Sequence, residues 1–217
     1  MSTPAAAAAE RALAKRREKY EAESERLMAA ALVVMRERAT VDPTVADILA
    51  EAGLSTAAFY RLFPTKDDLL LALLEQAGAT TRSYLAHRLE REPDPTHRIV
   101  VWIEGMFDLL RTRDLVERNR PFLLGHPRLV ERFPEEISSM VARLVEPLAT
   151  AIAEARAAAG IDPGDPAGDA RLVHHQVFGV LVDRAAERRV RDRAEVAAVV
   201  AYTLRAVLGP PVRLPAG

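Results

Sequence analysis

Small and hydroxyl-bearing side chains are concentrated between residues 44 and 63 of this chain. The run 55–58, Ser-Thr-Ala-Ala, is slim enough to enter the major groove of a duplex, and Tyr60 follows it where a phosphate would lie. Short side chains and hydroxyls of this kind bind by close approach and hydrogen bonding rather than by covalent chemistry. The segment therefore indicates nucleic-acid recognition.

The sequence has no constellation typical of catalysis. Paired carboxylates, Ser-His-Asp, HExxH and phosphate-loop spacings are missing, and there is no cysteine for thiol chemistry. His174 and His175 are adjacent, but adjacent helical positions point about 100° apart, and no third ligand follows at helical spacing. We therefore predict no metal site, no cofactor and no enzymatic activity.

Two short helices must position the run 55–58. Thr44 and Asp47 form a capping-box-like start for a helix over 45–52, in which hydroxyl and carboxylate can each satisfy a backbone N–H. Gly53 then supplies the left-handed conformation that ends a helix at low cost.

The next helix is short, because Ser55 caps its start and Pro64 ends it, and Thr65 with Asp68 opens a further helix. Four apolar side chains can lock the helix pair against a core: Ile48, Leu49, Leu54 and Phe59. A glycine corner, apolar anchors and a slim second helix together predict a helix-turn-helix.

The composition favours an all-α fold, since Ala, Leu, Arg and Glu are abundant and aromatic residues make up only 5%. Helical periodicity and Pro/Gly punctuation predict further helices at 20–38, 66–90, 96–111, 135–159, 168–187 and 192–208. We expect a kink at Pro147, and a stretch over 114–134 that is broken by Pro121, Gly125 and Pro127.

The net charge of -1 gives no overall attraction to DNA, so binding would need a local basic surface. After an alanine-rich tail at 2–9 comes a basic cluster: Arg11, Lys15, Arg16, Arg17 and Lys19. This cluster is either a solvated arm or an arm that neutralises DNA phosphates. No apolar run is long enough to span a bilayer, so we expect a cytoplasmic protein without membrane contact.

The segments 44–55 (TVADILAEAGLS) and 59–70 (FYRLFPTKDDLL) resemble the TetR family of bacterial repressors. The resemblance implies a TetR-like all-α fold, with an N-terminal three-helix helix-turn-helix domain and a larger C-terminal helical domain for ligand binding and dimerisation. We expect a tail and basic arm at 1–19, the DNA-binding domain at 20–66, the C-terminal domain at 67–209 and a tail at 210–217.

The resemblance also implies a set of DNA-binding residues: Thr44, Ser55, Thr56, Ala57, Tyr60, Arg61 and Lys66. Thr56 and Ala57 would approach base edges. Thr44 would cap its helix against a phosphate, and Tyr60 and Lys66 would contact the DNA backbone.

Position 62 departs from the family pattern. The family usually has His or an aromatic residue there, whereas Leu62 cannot donate a hydrogen bond to DNA. Arg61 or the basic arm could replace the missing contact.

A homodimer on a palindromic operator is expected, because one short recognition helix reads only a few base pairs. The last two helices are apolar over more than one face, and we predict an interface made by Val177, Val180, Leu181, Val196, Val200, Leu204 and Val207. The alternative is that these helices are interior to a monomer.

The family resemblance further implies a small-molecule effector and a ligand-released repressor. The proposed pocket is lined mainly by apolar residues, namely Trp102, Met106, Phe107, Leu110, Phe122, Met140, His174 and Phe178. This lining suggests a lipophilic or aromatic effector, although the same residues also suit an ordinary helical core. Rival interpretations are an all-α enzyme and a helical interaction module that has lost DNA binding.

Overall fold

The computed structural model describes residues 4–209, with side chains from residue 10 onward, and this part has nine α-helices, one 3-10 turn and no β-strand. The helices are α1 (Pro4–Arg38), α2 (Val45–Ala52), α3 (Thr56–Leu62), α4 (Lys66–Leu89), α5 (Pro95–Phe107), α6 (Arg113–Arg132), α7 (Pro134–Ala159), α8 (Pro166–Ala186) and α9 (Arg193–Leu208). The predicted all-α fold class is confirmed. The predicted C-terminal tail, and residues 1–3 of the N-terminal tail, lie outside the described residues.

The chain divides into two compact units, Met1–Leu74 and Glu75–Gly217. The predicted boundary, after residue 66, followed the start of α4. The observed boundary lies further along this helix, because Leu69, Leu70 and Leu73 are buried with the N-terminal unit. Helix α4 therefore contributes residues to both units.

The core of the N-terminal unit is built on one face of α1. Leu27, Ala31 and Met35 recur every fourth residue, so they share that face, and all three are buried. Ile48 of α2 and Phe59 of α3 are fully buried in the same unit. This packing fixes the positions of the two short helices.

Helix α1 is longer than the sequence predicted. It begins at Pro4 rather than near residue 20, so the alanine tail and the basic cluster are helical. Alanine has the highest helix propensity, and proline is tolerated in the first turn, where its missing N–H has no intrahelical acceptor. No helix breaker interrupts the chain between Pro4 and Arg38.

The expected break over 114–134 is wrong. Helix α6 is continuous from Arg113 to Arg132 and contains Pro121 and Pro127. Each proline removes one helical hydrogen bond, but Pro121 is itself buried, as are Val116, Leu123 and Leu129. Burial of this face in the core offsets the lost hydrogen bonds.

The core of the C-terminal unit surrounds α5. Trp102 is 0% exposed, and its indole Nε1 donates a hydrogen bond to the Leu144 carbonyl of α7 at 3.1 Å. The buried Arg156 of α7 also donates to the Val207 carbonyl of α9 at 2.8 Å and to Asp169 of α8 at 2.6 Å. These bonds hold α5, α7, α8 and α9 as one packed body.

Candidate nucleic-acid interface

Helix α3 presents a slim outer face. The Ser55 hydroxyl accepts a hydrogen bond from the Ala58 N–H at 3.2 Å and so caps the helix as predicted. Ala58 and Phe59 are buried, whereas Thr56 and Ala57 are exposed. The side chains exposed at the start of α3 are therefore small enough to approach a base edge.

Tyr60 lies on the same exposed surface, with 52% of its area accessible. Its ring contacts the buried Phe59 edge-on, at a centroid distance of 5.2 Å. The buried neighbour restricts the orientation of the Tyr60 ring, while about half of the residue stays exposed to solvent.

Thr44 caps α2, but not as a full capping box. Its hydroxyl accepts from the Asp47 N–H at 3.2 Å and donates to the Asp47 carboxylate at 2.5 Å. The hydrogen bond from Thr44 is the main cause that lowers the pKa of Asp47, and Arg38 adds to it. The complete capping box is at the start of α4, where the Asp68 carboxylate accepts from the Thr65 N–H at 2.8 Å.

The two cations of the predicted interface both form ion pairs. Lys66 Nζ lies 2.5 Å from the Asp42 carboxylate. Arg61 donates to the Glu23 carboxylate of α1, and its guanidinium lies 5.1 Å from the Tyr20 ring centroid. Sequence reasoning missed these three partners, since no local pattern pairs residues so far apart in the chain.

The residues predicted to line an effector pocket occupy two environments. Trp102, Met106, Phe107 and Leu110 are fully packed in the core of the C-terminal unit, with at most 2% exposure. The other predicted lining residues are partly or wholly buried on α6, α7 and α8: Phe122, Met140, His174 and Phe178.

Two histidines contact the ring of Phe178 and a third lies beside one of them, an arrangement that the sequence did not predict. His126 of α6 lies 4.6 Å from the Phe178 ring centroid, and His174 stacks on that ring at 5.7 Å. The rings of His175 and Trp102 lie 5.8 Å and 6.4 Å from the His174 ring, centroid to centroid. Within residues 10–209, no group of three or more metal-ligating side chains is arranged to hold an ion.

His174 is the most unusual titratable group of the C-terminal unit. It is 4% exposed, and its Nδ1 has no hydrogen-bond partner among the described residues. Burial is the main cause that lowers the pKa of His174 from 6.5 to about 4, and the nearby His175 and His126 contribute to this shift. Burial likewise lowers the pKa of His126.

A groove of about 810 Å³ lies elsewhere on the C-terminal unit and contains none of the predicted lining residues. Its apolar wall includes Val196, Val200 and Leu204 of α9. Its polar side includes Tyr84, whose hydroxyl donates to Asp108 at 2.5 Å.

The seven residues predicted for the dimer interface also divide into two groups. Val177, Leu181 and Val207 are buried within the single chain, and Val196 is 7% exposed, so they have little or no surface to offer a second copy. The partly exposed members are Val180, Val200 and Leu204. Alternating core and surface positions on α8 and α9 explain why the apolar pattern alone did not separate them.

Comparison with known proteins identifies the class of the N-terminal unit. Residues 27–73 match the model of the bacterial regulatory proteins of the tetR family. The nucleoid occlusion factor SlmA of Mannheimia succiniciproducens is 30% identical over 88 residues, which cover 41% of this chain and 39% of that protein. The chain thus matches about two fifths of the length of this curated relative.

Solved structures extend the likeness to the whole fold. A TetR transcription regulator from Haloarcula marismortui has a TM-score of 0.63 at 20% identity, covering 86% of this chain and 97% of that one. FadR from Bacillus subtilis, in complex with stearoyl-CoA, has a TM-score of 0.65 at 16% identity, covering 86% and 99%. Residues 27–73 are thus similar to the tetR family of bacterial regulatory proteins, and the fold of the described chain is like that of these solved structures.

No helix in the described part of the chain combines the length and the apolar character needed to cross a membrane.

Proposed function

We propose that this protein is a cytoplasmic transcription regulator that binds a palindromic DNA operator as a homodimer and represses until an effector releases it. The outer face of α3 carries this proposal, because its exposed residues are small and Tyr60 stands beside them. Thr44 and Lys66 flank α3 in sequence, at the starts of α2 and α4. Helix starts carry partial positive charge, which suits contact with phosphates.

Replacement of Lys66 or Tyr60 tests the proposed DNA contacts. Lys66→Ala is expected to weaken binding about tenfold near 0.1 M salt and to lower the salt slope by about 0.9, the value for one lost phosphate contact. Tyr60→Ala is expected to weaken binding without changing the slope, because a neutral hydroxyl releases no counterion. Fluorescence anisotropy with duplex DNA from beside the protein's own gene measures both quantities.

Conservative variants serve as controls. Lys66→Arg keeps the charge and should retain the slope, and Tyr60→Phe keeps the ring and should lose only the hydroxyl contact. Unchanged affinity in both alanine variants would show that these residues do not touch DNA. Absence of any binding by the wild-type protein would contradict the proposed function itself.

A homodimer provides the two recognition helices that a palindromic site needs, spaced about 34 Å apart. The partly exposed apolar residues of α8 and α9 support this proposal: Val180, Val200 and Leu204. The same anisotropy measurement with a half-site duplex checks it. A dimeric reader should bind the half-site far more weakly than the full palindrome, whereas equal affinity would argue for a monomer.

We place the effector site around His174. Its Nδ1 is buried without a partner in the described part of the chain. A buried nitrogen without a hydrogen bond destabilises the fold unless a ligand supplies that bond. The rings of Trp102, Phe178 and His126 lie around it, which suits an aromatic or lipophilic molecule with one polar atom. Helix α4 connects Lys66 to the C-terminal unit and is the proposed route by which the effector alters DNA affinity.

Native mass spectrometry of the purified protein tests this effector site. We expect the purified protein to retain a small molecule, and we expect addition of this molecule to weaken operator binding. The operator should in turn lower the affinity for the molecule by the same factor. His174→Leu should abolish its retention. Retention of the molecule by this variant would remove His174 from the effector site, and an effector that binds without changing DNA affinity would contradict release as the mode of regulation.

A further inference from the structure

The N-terminal half of α1 is an exposed helix with an unusual charge. Helix α1 begins at Pro4, well before residue 27, where the family match starts. Every residue from 10 to 19 is exposed. Within residues 10–19 there are five basic and two acidic side chains, in a chain whose net charge is -1. We call residues 10–19 the basic segment.

Three of these cations form a stripe. Arg11, Lys15 and Lys19 recur every fourth residue, so they share one face of α1. At the rise of an α-helix, the stripe extends over about 12 Å. Apart from Leu13, the segment has no large apolar side chain exposed, so it lacks the apolar face that a membrane or a partner helix would need.

The stripe runs toward the recognition helix. Lys19 Nζ lies 3.8 Å from one oxygen of Glu23, and the other oxygen of that carboxylate accepts from Arg61 of α3. Lys19 and Arg61 therefore share one carboxylate. Both cations belong to the N-terminal unit.

Tyr20 strengthens this link between α1 and α3. The guanidinium groups of Arg16 and Arg61 both contact its ring, at 5.5 Å and 5.1 Å from the centroid. Arg16 also donates to the Tyr20 hydroxyl at 2.9 Å. Arg16 and Lys19 of the basic segment are thus linked to Arg61 of α3 through Tyr20 and Glu23.

We infer that the stripe formed by Arg11, Lys15 and Lys19 is a second DNA-binding element, which contacts the phosphate backbone beside the site read by α3. This inference rests on the proposed function. Duplex DNA carries one negative charge for about every 1.7 Å of its axis, so a stripe of about 12 Å can meet several phosphates. These contacts are independent of base sequence. They add affinity that compensates for the hydrogen bond to DNA that Leu62 cannot make.

The triple variant Arg11→Gln, Lys15→Gln, Lys19→Gln tests the inference. Each lost phosphate contact should lower the salt slope by about 0.9, so three should lower it by about 2–3, with at least tenfold weaker binding near 0.1 M salt. Anisotropy titrations of the full chain with duplex DNA from beside its own gene, at several salt concentrations, measure both. Glutamine is a good helix former, so circular dichroism and the melting temperature should not change.

The matched variant Glu10→Gln, Glu18→Gln makes the opposite prediction. Removing two negative charges from the same segment should strengthen binding several-fold. If the segment is only solvated, affinity and salt slope will be unchanged in both variants, and that result would overturn the inference. The proposed function would still stand, provided that the wild-type chain binds DNA. If the wild-type chain binds no DNA, the proposed function fails first.

Discussion

Trp102→Ala is expected to lower the free energy of unfolding of the C-terminal unit by about 3–5 kcal/mol, as for other large-to-small changes in cores. Trp102 is 0% exposed and lies at the centre of the packed body formed by α5, α7, α8 and α9. The change leaves a large cavity, and it also removes the hydrogen bond to the Leu144 carbonyl. Since natural domains have only about 5–15 kcal/mol of stability, a large share would be lost.

Trp102→Phe separates the two contributions. Phenylalanine keeps most of the ring but cannot donate to Leu144, so we expect a loss nearer to about 1–2 kcal/mol. Trp102 is the only tryptophan in the chain, so unfolding in urea must be followed by circular dichroism rather than by tryptophan fluorescence. Equal stability of the alanine variant and the wild type would contradict the packing described for α5.

The second large effect is a dependence of stability on pH that originates at His174. Its pKa is about 4 in the folded chain, against an ordinary value of 6.5. Between these values the unfolded chain binds a proton that the folded chain does not, so stability falls as the pH falls. The slope should approach about 1.4 kcal/mol per pH unit, for a total near 3 kcal/mol. Above pH 6.5 His174 is neutral in both the folded and the unfolded chain, so it no longer lowers the free energy of unfolding.

His174→Leu should remove most of this dependence, because leucine has a similar volume and does not titrate. Any slope that remains is expected from His126, whose pKa is also lowered by burial. Urea denaturation between pH 4 and pH 7.5 measures the slope, and an unchanged slope in His174→Leu would place its origin elsewhere.

The helix-turn-helix was predictable because its signals are local. Thr44, Gly53 and Ser55 act within a few residues of their own positions, and the structure places a cap or corner at each. The continuous α6 was not predictable in this way. Its prolines argue against a helix, and only burial in the C-terminal core outweighs them.

The surroundings of the candidate sites depend on residues far apart in sequence. His126 meets the rings of α8 only after folding, and Glu23 meets Arg61 across 38 positions. The apolar pattern of α8 likewise did not distinguish Val177, which is buried, from Val180, which is partly exposed. Periodicity identifies a helix, but on a helix apolar over several faces it does not show which face another helix covers.

In the Asp42–Lys66 and Glu23–Arg61 pairs, a carboxylate competes with DNA phosphate for each cation of the proposed DNA-binding surface. A phosphate that binds either cation must compete with a carboxylate, and the resulting loss of affinity is the same on every DNA sequence. Random DNA offers the protein only backbone contacts, whereas an operator also offers contacts to its bases. An equal loss of affinity would therefore release the protein from random DNA, which binds it weakly, while the more tightly bound operator stays occupied.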